Sequence, residues 1–254
     1  MIVIKSSKEI ELMQESGRIV ALVHETIKKA IKPGVTTGEL DKIAEKVITE
    51  NGAVPSFKGY HGFPGSICAS INEQVIHGIP GDIKLSEGDI ISIDVGAFKN
   101  GYHADAARTH PVGNVSEAAA NLIKVTEESF FEGLKYCRKG YRLSDVSHAI
   151  QKYSEDKGYG VVRDFVGHGV GRQLHEDPPI PNYGSPGRGP RLESGMVLAI
   201  EPMINQGDHR VKVLDDDWTV VTLDGLWSAH YEHTVVITED EPLLLTCSTN
   251  EVTQ

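Results

Sequence analysis

Residues 90–109 read IISIDVGAFKNGYHADAART, and the rest of the chain is organised around how they fold. Asn-Gly between two apolar runs is the strongest short-range hairpin signal, so a turn is expected at Lys99, Asn100 and Gly101. Two acids, Asp94 and Asp105, lie one on each arm. If Lys99 and Asn100 form the loop, the acids stand directly opposite each other; if Asn100 and Gly101 form it, they are diagonal neighbours. Either register puts both carboxylates on one face, because side chains alternate with a period of two. Ile90, Ile91, Ile93 and Val95 mark a strand buried on both faces, where an unpaired carboxylate costs several kcal/mol. Something positive is therefore expected between these acids.

The run LSEGDIISID at residues 85–94 recurs as LESGMVLAIE at residues 192–201, and the final acid recurs with it. Upstream, Gly34, Leu40, Ile43, Val47 and Gly52 align with Gly140, Val146, Ala149, Tyr153 and Gly158 at nearly the same offset. This reads as an internal duplication of a helix, helix, strands unit, with halves at about residues 1–112 and 113–254 sharing a single domain. Two acid-bearing strands related by a pseudo-two-fold face each other across the axis, and a shared site is expected there.

The 254 residues are 39% apolar, ample for a large core, and the net charge of −11 argues against direct nucleic-acid binding. Cys68, Cys137 and Cys247 are widely spaced and form no Cys-x-x-Cys pair, which excludes a disulfide framework or zinc ribbon and fits a reducing cytoplasm. The opening MIVIKSSKEI is no export signal, and no apolar run approaches a membrane span.

Capping boxes at Ser6/Glu9 and Thr36/Glu39 open two helices, the first stopped by Lys32-Pro33-Gly34 and the second by Gly52. Residues 53–80, rich in glycine, proline and aromatics, read as loops and short strands suited to a pocket wall. In the second half Ser116 caps a helix to about Arg138, and residues 143–157 form the next. An irregular loop spans residues 177–190, and strands resume at Met196, at 218–223 and at 227–238.

Glu201 and Glu232 join Asp94 and Asp105 as acids on or beside strands, and His168 sits between Gly167 and Gly169, which let the backbone approach closely. Any one of these acids alone reads equally well as an edge residue, and His168 alone as a structural histidine. Recurrence of the acid in duplicated strands argues against that. Four carboxylates and one neutral imidazole leave four negative charges, which two divalent cations balance and one does not. Oxygen-rich ligands with a single nitrogen suit manganese, iron, cobalt or zinc, and the chemistry of such a pair is hydrolytic.

The segments INEQVIHGIP around His77, IDVGAFKNGYHAD, GHGVGRQLHEDP, IEPMIN and YEHT, in this order, resemble those of the type I methionine aminopeptidases along essentially the whole chain. The resemblance implies an α+β fold of the duplicated "pita-bread" type, a central curved antiparallel sheet covered by helices. It implies a metallo-exopeptidase that removes the initiator methionine from nascent proteins and peptides when the second residue is small. Carried over residue by residue, the metal ligands fall on Asp94, Asp105, His168, Glu201 and Glu232, with Asp105 and Glu232 bridging the ions.

In the implied mechanism Glu201 shuttles a proton to the leaving nitrogen, His175 steadies the tetrahedral oxyanion and His77 contacts the scissile amide. The methionine slot falls on Phe57, Tyr60, Phe63, Cys68, Leu174 and Trp218. Phe57 and Leu174 depart from many bacterial relatives, which carry a small residue and a Phe there, so the slot mouth is expected to differ. The family also holds a monovalent cation, sodium or potassium, near residues matching Asn72 and Ser228. All remaining histidines read as surface residues.

The implied partners are nascent amino termini near the ribosome, and a cytoplasmic monomer that touches neither nucleic acid nor membrane is expected. The alternatives are an Xaa-Pro aminopeptidase or dipeptidase of the same fold, and a peptide-binding relative that has lost catalysis. The intact ligand set argues against the second. The chain shows no extra amino-terminal domain of the kind usual in Xaa-Pro enzymes, which favours methionine cleavage.

Overall fold

A computed structural model describes residues 1–247. The first half runs α1 (Ser7–Ala30), α2 (Thr37–Glu50), β1 (Val54–Pro55), β2 (Ile67–Ile71), β3 (Gln74–Ile76), β4 (Ile90–Lys99) and β5 (Tyr102–Pro111). The second runs α3 (Glu117–Leu134), α4 (Leu143–Asp156), β6 (Gly160–Val161), β7 (Gly167–Gly169), β8 (Glu176–Ile180), β9 (Val197–Ile200), β10 (Met203–Asn205), β11 (Val211–Val213), β12 (Val220–Thr222), β13 (Ser228–His230), β14 (His233–Val236) and β15 (Leu243–Leu244).

Both anticipated capping boxes form. The Ser6 amide donates to Glu9 at 2.9 Å and the Thr36 amide to Glu39 at 2.7 Å, satisfying donors that a helix start otherwise leaves unpaired. The second half keeps the acid of the motif: the Arg142 amide donates to Asp145 at 2.8 Å. The repeat is also written in the backbone. Gly34, Gly52 and Gly88 have φ of 91°, 70° and 93°, and their counterparts Gly140, Gly158 and Gly195 have 100°, 86° and 92°. Left-handed turns that only glycine adopts cheaply thus recur in step.

Among the described residues all strand pairs are antiparallel, gathered into four hydrogen-bonded sheets, of which β1-β4-β2 with β5, and β15-β14-β9-β7-β8, supply the site. Helices α1 and α2 bury Val20, Val23, Ile27, Leu40 and Ile48 against Ile67, Ile91, Ile93 and Val95. In the second half Phe130, Val146 and Ile150 pack on Leu198, Ile200 and Val235 in the same way. At roughly 1.5–3 kcal/mol for each large apolar side chain, these two cores hold the helices on the outer faces and leave the opposite face for the site.

Three expectations are corrected. Helix α3 stops at Leu134 rather than near Arg138, because the backbone beyond it is taken by an isolated bridge: Arg138 pairs with Thr238, and the Lys139 amide donates to the Thr238 carbonyl at 3.1 Å. The run 227–238 is two strands, β13 and β14. At the break the Tyr231 and Glu232 amides turn to the carbonyls of Pro202 and Ala107. The loop expected from Asp177 begins as strand β8, whose prolines are tolerated because it lies at a sheet edge.

Candidate metal centre

Strand register delivers the acids. Lys99 pairs with Tyr102 around an Asn100-Gly101 loop whose φ values are 52° and 85°, as a type I′ turn requires. Gly96 then faces Asp105 while Asp94 faces Ala107, so the acids are diagonal neighbours, the second of the two registers considered. On its other side Asp94 faces Cys68 of β2, which brings an apolar wall against the acids. In the second half Ile200 pairs with His233, so Glu201 and Glu232, one residue beyond each, leave the β9–β14 ladder together. His168 pairs with Ala199 of β9. The flanking glycines are required there: a Cβ on Gly167 or Gly169 would lie 2.3 Å from the Ala199 carbonyl oxygen or 2.2 Å from that of Asp177.

Asp105, His168 and Glu232 each offer one ligand atom, all within 4.8 Å of one another, the group of this kind found among the described residues. Asp94 and Glu201 stand outside this tight group but line the same cavity. His168 Nε2 is 3.5 Å from Asp105 Oδ2 and 3.7 Å from Glu201 Oε1. Its Nδ1 lies 2.9 Å from the Gly169 carbonyl oxygen, which only accepts, so Nδ1 carries the proton and Nε2 turns a lone pair to the acids. Thr234 Oγ1 lies 3.0 Å from Asp105 Oδ1, and Asn182 donates to the Glu201 carbonyl at 3.0 Å.

The electrostatics demand a counter-charge. Burial and the Asp105 charge hold the Asp94 carboxyl well above its ordinary range; burial with Asp94 and Asp105 does the same for Glu201, and burial with Asp105, Asp94 and Glu201 for Glu232. Burial raises Asp105 to about 6 and lowers His168 to about 4. Asp94 Oδ1 is buried without a hydrogen-bond partner. Crowded, desolvated carboxylates, an orphaned oxygen and an imidazole lone pair aimed among them fit divalent cations bound by oxygen and one nitrogen.

The acids floor a cavity of about 460 Å³. Every residue anticipated for metal, catalysis or the methionine slot lines it: Asp94, Asp105, His168, Glu201, Glu232, His77, His175, Phe57, Tyr60, Phe63, Cys68, Leu174 and Trp218. His175 lies at the rim with its ring centroid 4.2 Å from that of His168 and its Nδ1 2.8 Å from the Tyr60 hydroxyl. Phe63 and Trp218 meet edge to face at 5.0 Å. His77 has a left-handed φ of 59°, uncommon outside glycine, and its ring faces Phe165 and Trp218 at 5.9 and 6.3 Å. Burial lowers His77 to about 4, and burial with the neighbouring His168 lowers His175 to about 4, so both rings are neutral near pH 7. Asn72 and Ser228 are neighbours, the Ser228 amide donating to the Asn72 carbonyl at 2.9 Å.

The surface reading of the other histidines fails in part. His24, His230 and His233 are buried, His61 lines the cavity, and His230 Nε2 lies 3.7 Å from Glu201 Oε2. Histidine is too polar for periodicity to mark as core, and only its place two residues before Glu232 hints at His230.

The signature of metallopeptidase family M24 matches residues 11–239. Methionine aminopeptidase 1 of Bacillus subtilis is 60% identical over 239 residues, covering 94% of this chain and 96% of the relative. The crystal structure of methionine aminopeptidase from Thermotoga maritima superposes with a TM-score of 0.96 at 47% identity, over 98% of this chain and all of that one. The prolidase from Pyrococcus furiosus gives 0.79 at 25% identity, over 97% of this chain and 66% of its own.

Proposed function

The chain belongs to metallopeptidase family M24, and from that premise we propose that it is a methionine aminopeptidase, a metallo-exopeptidase hydrolysing the bond after an amino-terminal methionine when the next residue is small. The observation that carries the reading is the continuity of one cavity, from a floor of acids to a slot walled by Phe57, Phe63, Cys68, Leu174 and Trp218. It suits an unbranched apolar side chain beside a hydrolytic centre, with both halves acting as one catalytic domain. The Xaa-Pro alternative is not favoured, since the identity to the Bacillus relative far exceeds that to the prolidase.

Asp94, Asp105, His168, Glu201 and Glu232 would hold two divalent ions, manganese, iron, cobalt or zinc. Such a pair, when bound, polarises the scissile carbonyl and brings a water towards a neutral pKa. Glu201, the acid nearest His230, accepts the proton of the attacking water and returns it to the leaving nitrogen. His175 steadies the developing oxyanion. This requires a proton on Nε2, which the Tyr60 hydroxyl secures by donating to Nδ1. His77, fixed by its left-handed backbone and aromatic neighbours, meets the scissile amide.

A sodium or potassium ion beside Asn72 and Ser228 belongs to the same proposal, as do a cytoplasmic, monomeric state and action on nascent chains at the ribosome. No helix among the described residues is long and apolar enough to cross a membrane. The test is hydrolysis of Met-Ala-Ser and of Xaa-Pro peptides with added manganese or cobalt. Release of methionine from the first alone supports the reading, and cleavage confined to bonds before proline overturns it.

A further inference from the structure

We propose that Lys5, remote from the cavity, is a positioning residue for His175, acting through Glu176; this rests on the aminopeptidase reading. The loop 171–176 carries Leu174 and His175 to the cavity, and it is tied from outside. The Lys5 ammonium lies 2.5 Å from Glu176 Oε2, with the two side chains only 3% and 11% exposed. The other carboxylate oxygen, Oε1, accepts from the Gln173 amide at 3.2 Å, folding the loop back on itself. Lys5 is anchored in turn: its amide donates to the Gly195 carbonyl at 2.8 Å and its ammonium to the Val3 carbonyl at 3.3 Å. Gly171 makes room for the pair, since a Cβ there would lie 2.6 Å from both Glu176 Oε1 and Lys5 Cε.

A buried ion pair contributes little net stability compared with an apolar pair of the same size, because desolvation offsets the attraction. What it does supply is a fixed distance between two backbone points. One of them, Glu176, is bonded directly to His175. The Tyr60 hydroxyl can orient the His175 ring but not set where its backbone lies. The His103 amide to the Gly171 carbonyl at 2.8 Å and the Arg172 guanidinium 4.7 Å over the Tyr102 ring hold the start of the loop, and the Glu176 backbone pairs with Gly169 where β8 begins. Between those two ends the Glu176 carboxylate, held by Lys5 and accepting from the Gln173 amide, sets the path of residues 173–175, and with it the place of the imidazole that meets the oxyanion.

The test is a mutant cycle on manganese-loaded full-length protein with Met-Ala-Ser. Lys5→Met is expected to lower kcat about tenfold or more, the scale of a misplaced catalytic group, with KM and bound manganese unchanged. In a His175→Ala background the same substitution should cause no further loss. In ¹⁵N-histidine spectra of the protein loaded with diamagnetic zinc, the His175 resonance, identified by its disappearance in His175→Ala, should shift in Lys5→Met whether or not the peptide is cleaved. Equal losses in both backgrounds, a wild-type kcat, or an unmoved resonance would overturn the inference. Inactivity of the unmutated protein on Met-Ala-Ser would overturn only the reading beneath it, and the resonance would still decide the role of Lys5. If Lys5→Met does not fold, Lys5→Gln, which keeps a donor without the charge, goes through the same cycle.

Discussion

His168 Nε2 faces Asp105 Oδ2 at 3.5 Å while its Nδ1 is committed to its neighbour's carbonyl, so a strand from each half presents an electron pair to the same point. Neither atom has a proton to offer the other when His168 is neutral and Asp105 ionised. The contact is repulsive unless a proton or a cation lies between them.

Without metal, burial and mutual repulsion raise Asp94, Glu201 and Glu232 well above the ordinary carboxylate range, so these groups favour keeping their protons. Metal uptake must expel them. Calorimetric titration of manganese at pH 7 in buffers of different ionisation enthalpy is expected to show release of at least one proton per chain, and the apparent affinity should fall as pH falls. Buffer-independent heats would mean that the acids are already ionised.

The stability of the metal-free protein should pass through a maximum near pH 6. From about pH 4 upwards the raised carboxyls bind protons in the folded state that the unfolded chain has lost, and once the unfolded histidines are neutral this makes stability fall as pH rises. Below about 6.5, burial has depressed His24 and His233 far and His110 to about 3, so the unfolded chain binds the extra protons and stability falls as pH drops. Each net proton contributes about 1.4 kcal/mol per pH unit. Thermal melts of chelator-treated protein from pH 4 to 9 check this, and a monotonic profile would contradict it.

Thr234→Val removes the hydroxyl that contacts Asp105 at Oδ1, at its carbonyl (2.8 Å) and at its amide (3.0 Å). Manganese affinity is expected to drop about tenfold, as when a partner that orients a ligand is lost. The buried Asp105 amide, left unpaired, should cost about 1–3 kcal/mol in denaturant unfolding.

His77→Ala should lower kcat on Met-Ala-Ser at least about a hundredfold, as expected of a group acting in the transition state, while metal content by elemental analysis stays at the wild-type level. A parallel loss of metal would move His77 from the reaction to the scaffold.

Trp218→Ala opens the slot by removing the edge-to-face partner of Phe63. KM for methionyl peptides should rise about tenfold, the effect of one lost aromatic contact and its buried area, with kcat less affected. A change confined to kcat would argue that Trp218 acts through His77, which its ring also faces.

Much of this was legible because the signals were local or repeated. Asn100-Gly101 announced the hairpin, the capping boxes announced two helix starts, and recurrence of an acid in LSEGDIISID and LESGMVLAIE pointed to a centre built from both halves. What escaped was set by distant partners. The end of α3 is decided by hydrogen bonds to Thr238, and the break before β14 by the carbonyls of Pro202 and Ala107, neither of which a short window of sequence contains. The buried histidines hid because a neutral imidazole packed under a sheet looks, in a sequence, like any surface polar residue. The strained backbone of His77 had no signal except Gly78 beside it.

Asp94 and Asp105 arrive early in synthesis, but Glu232 comes only a few residues before the final strands. A chain still emerging from its template therefore holds an incomplete set of donors, however well its first half has folded. The cluster of Asp105, His168 and Glu232 can close only once both halves are made, so any chemistry that depends on it comes late.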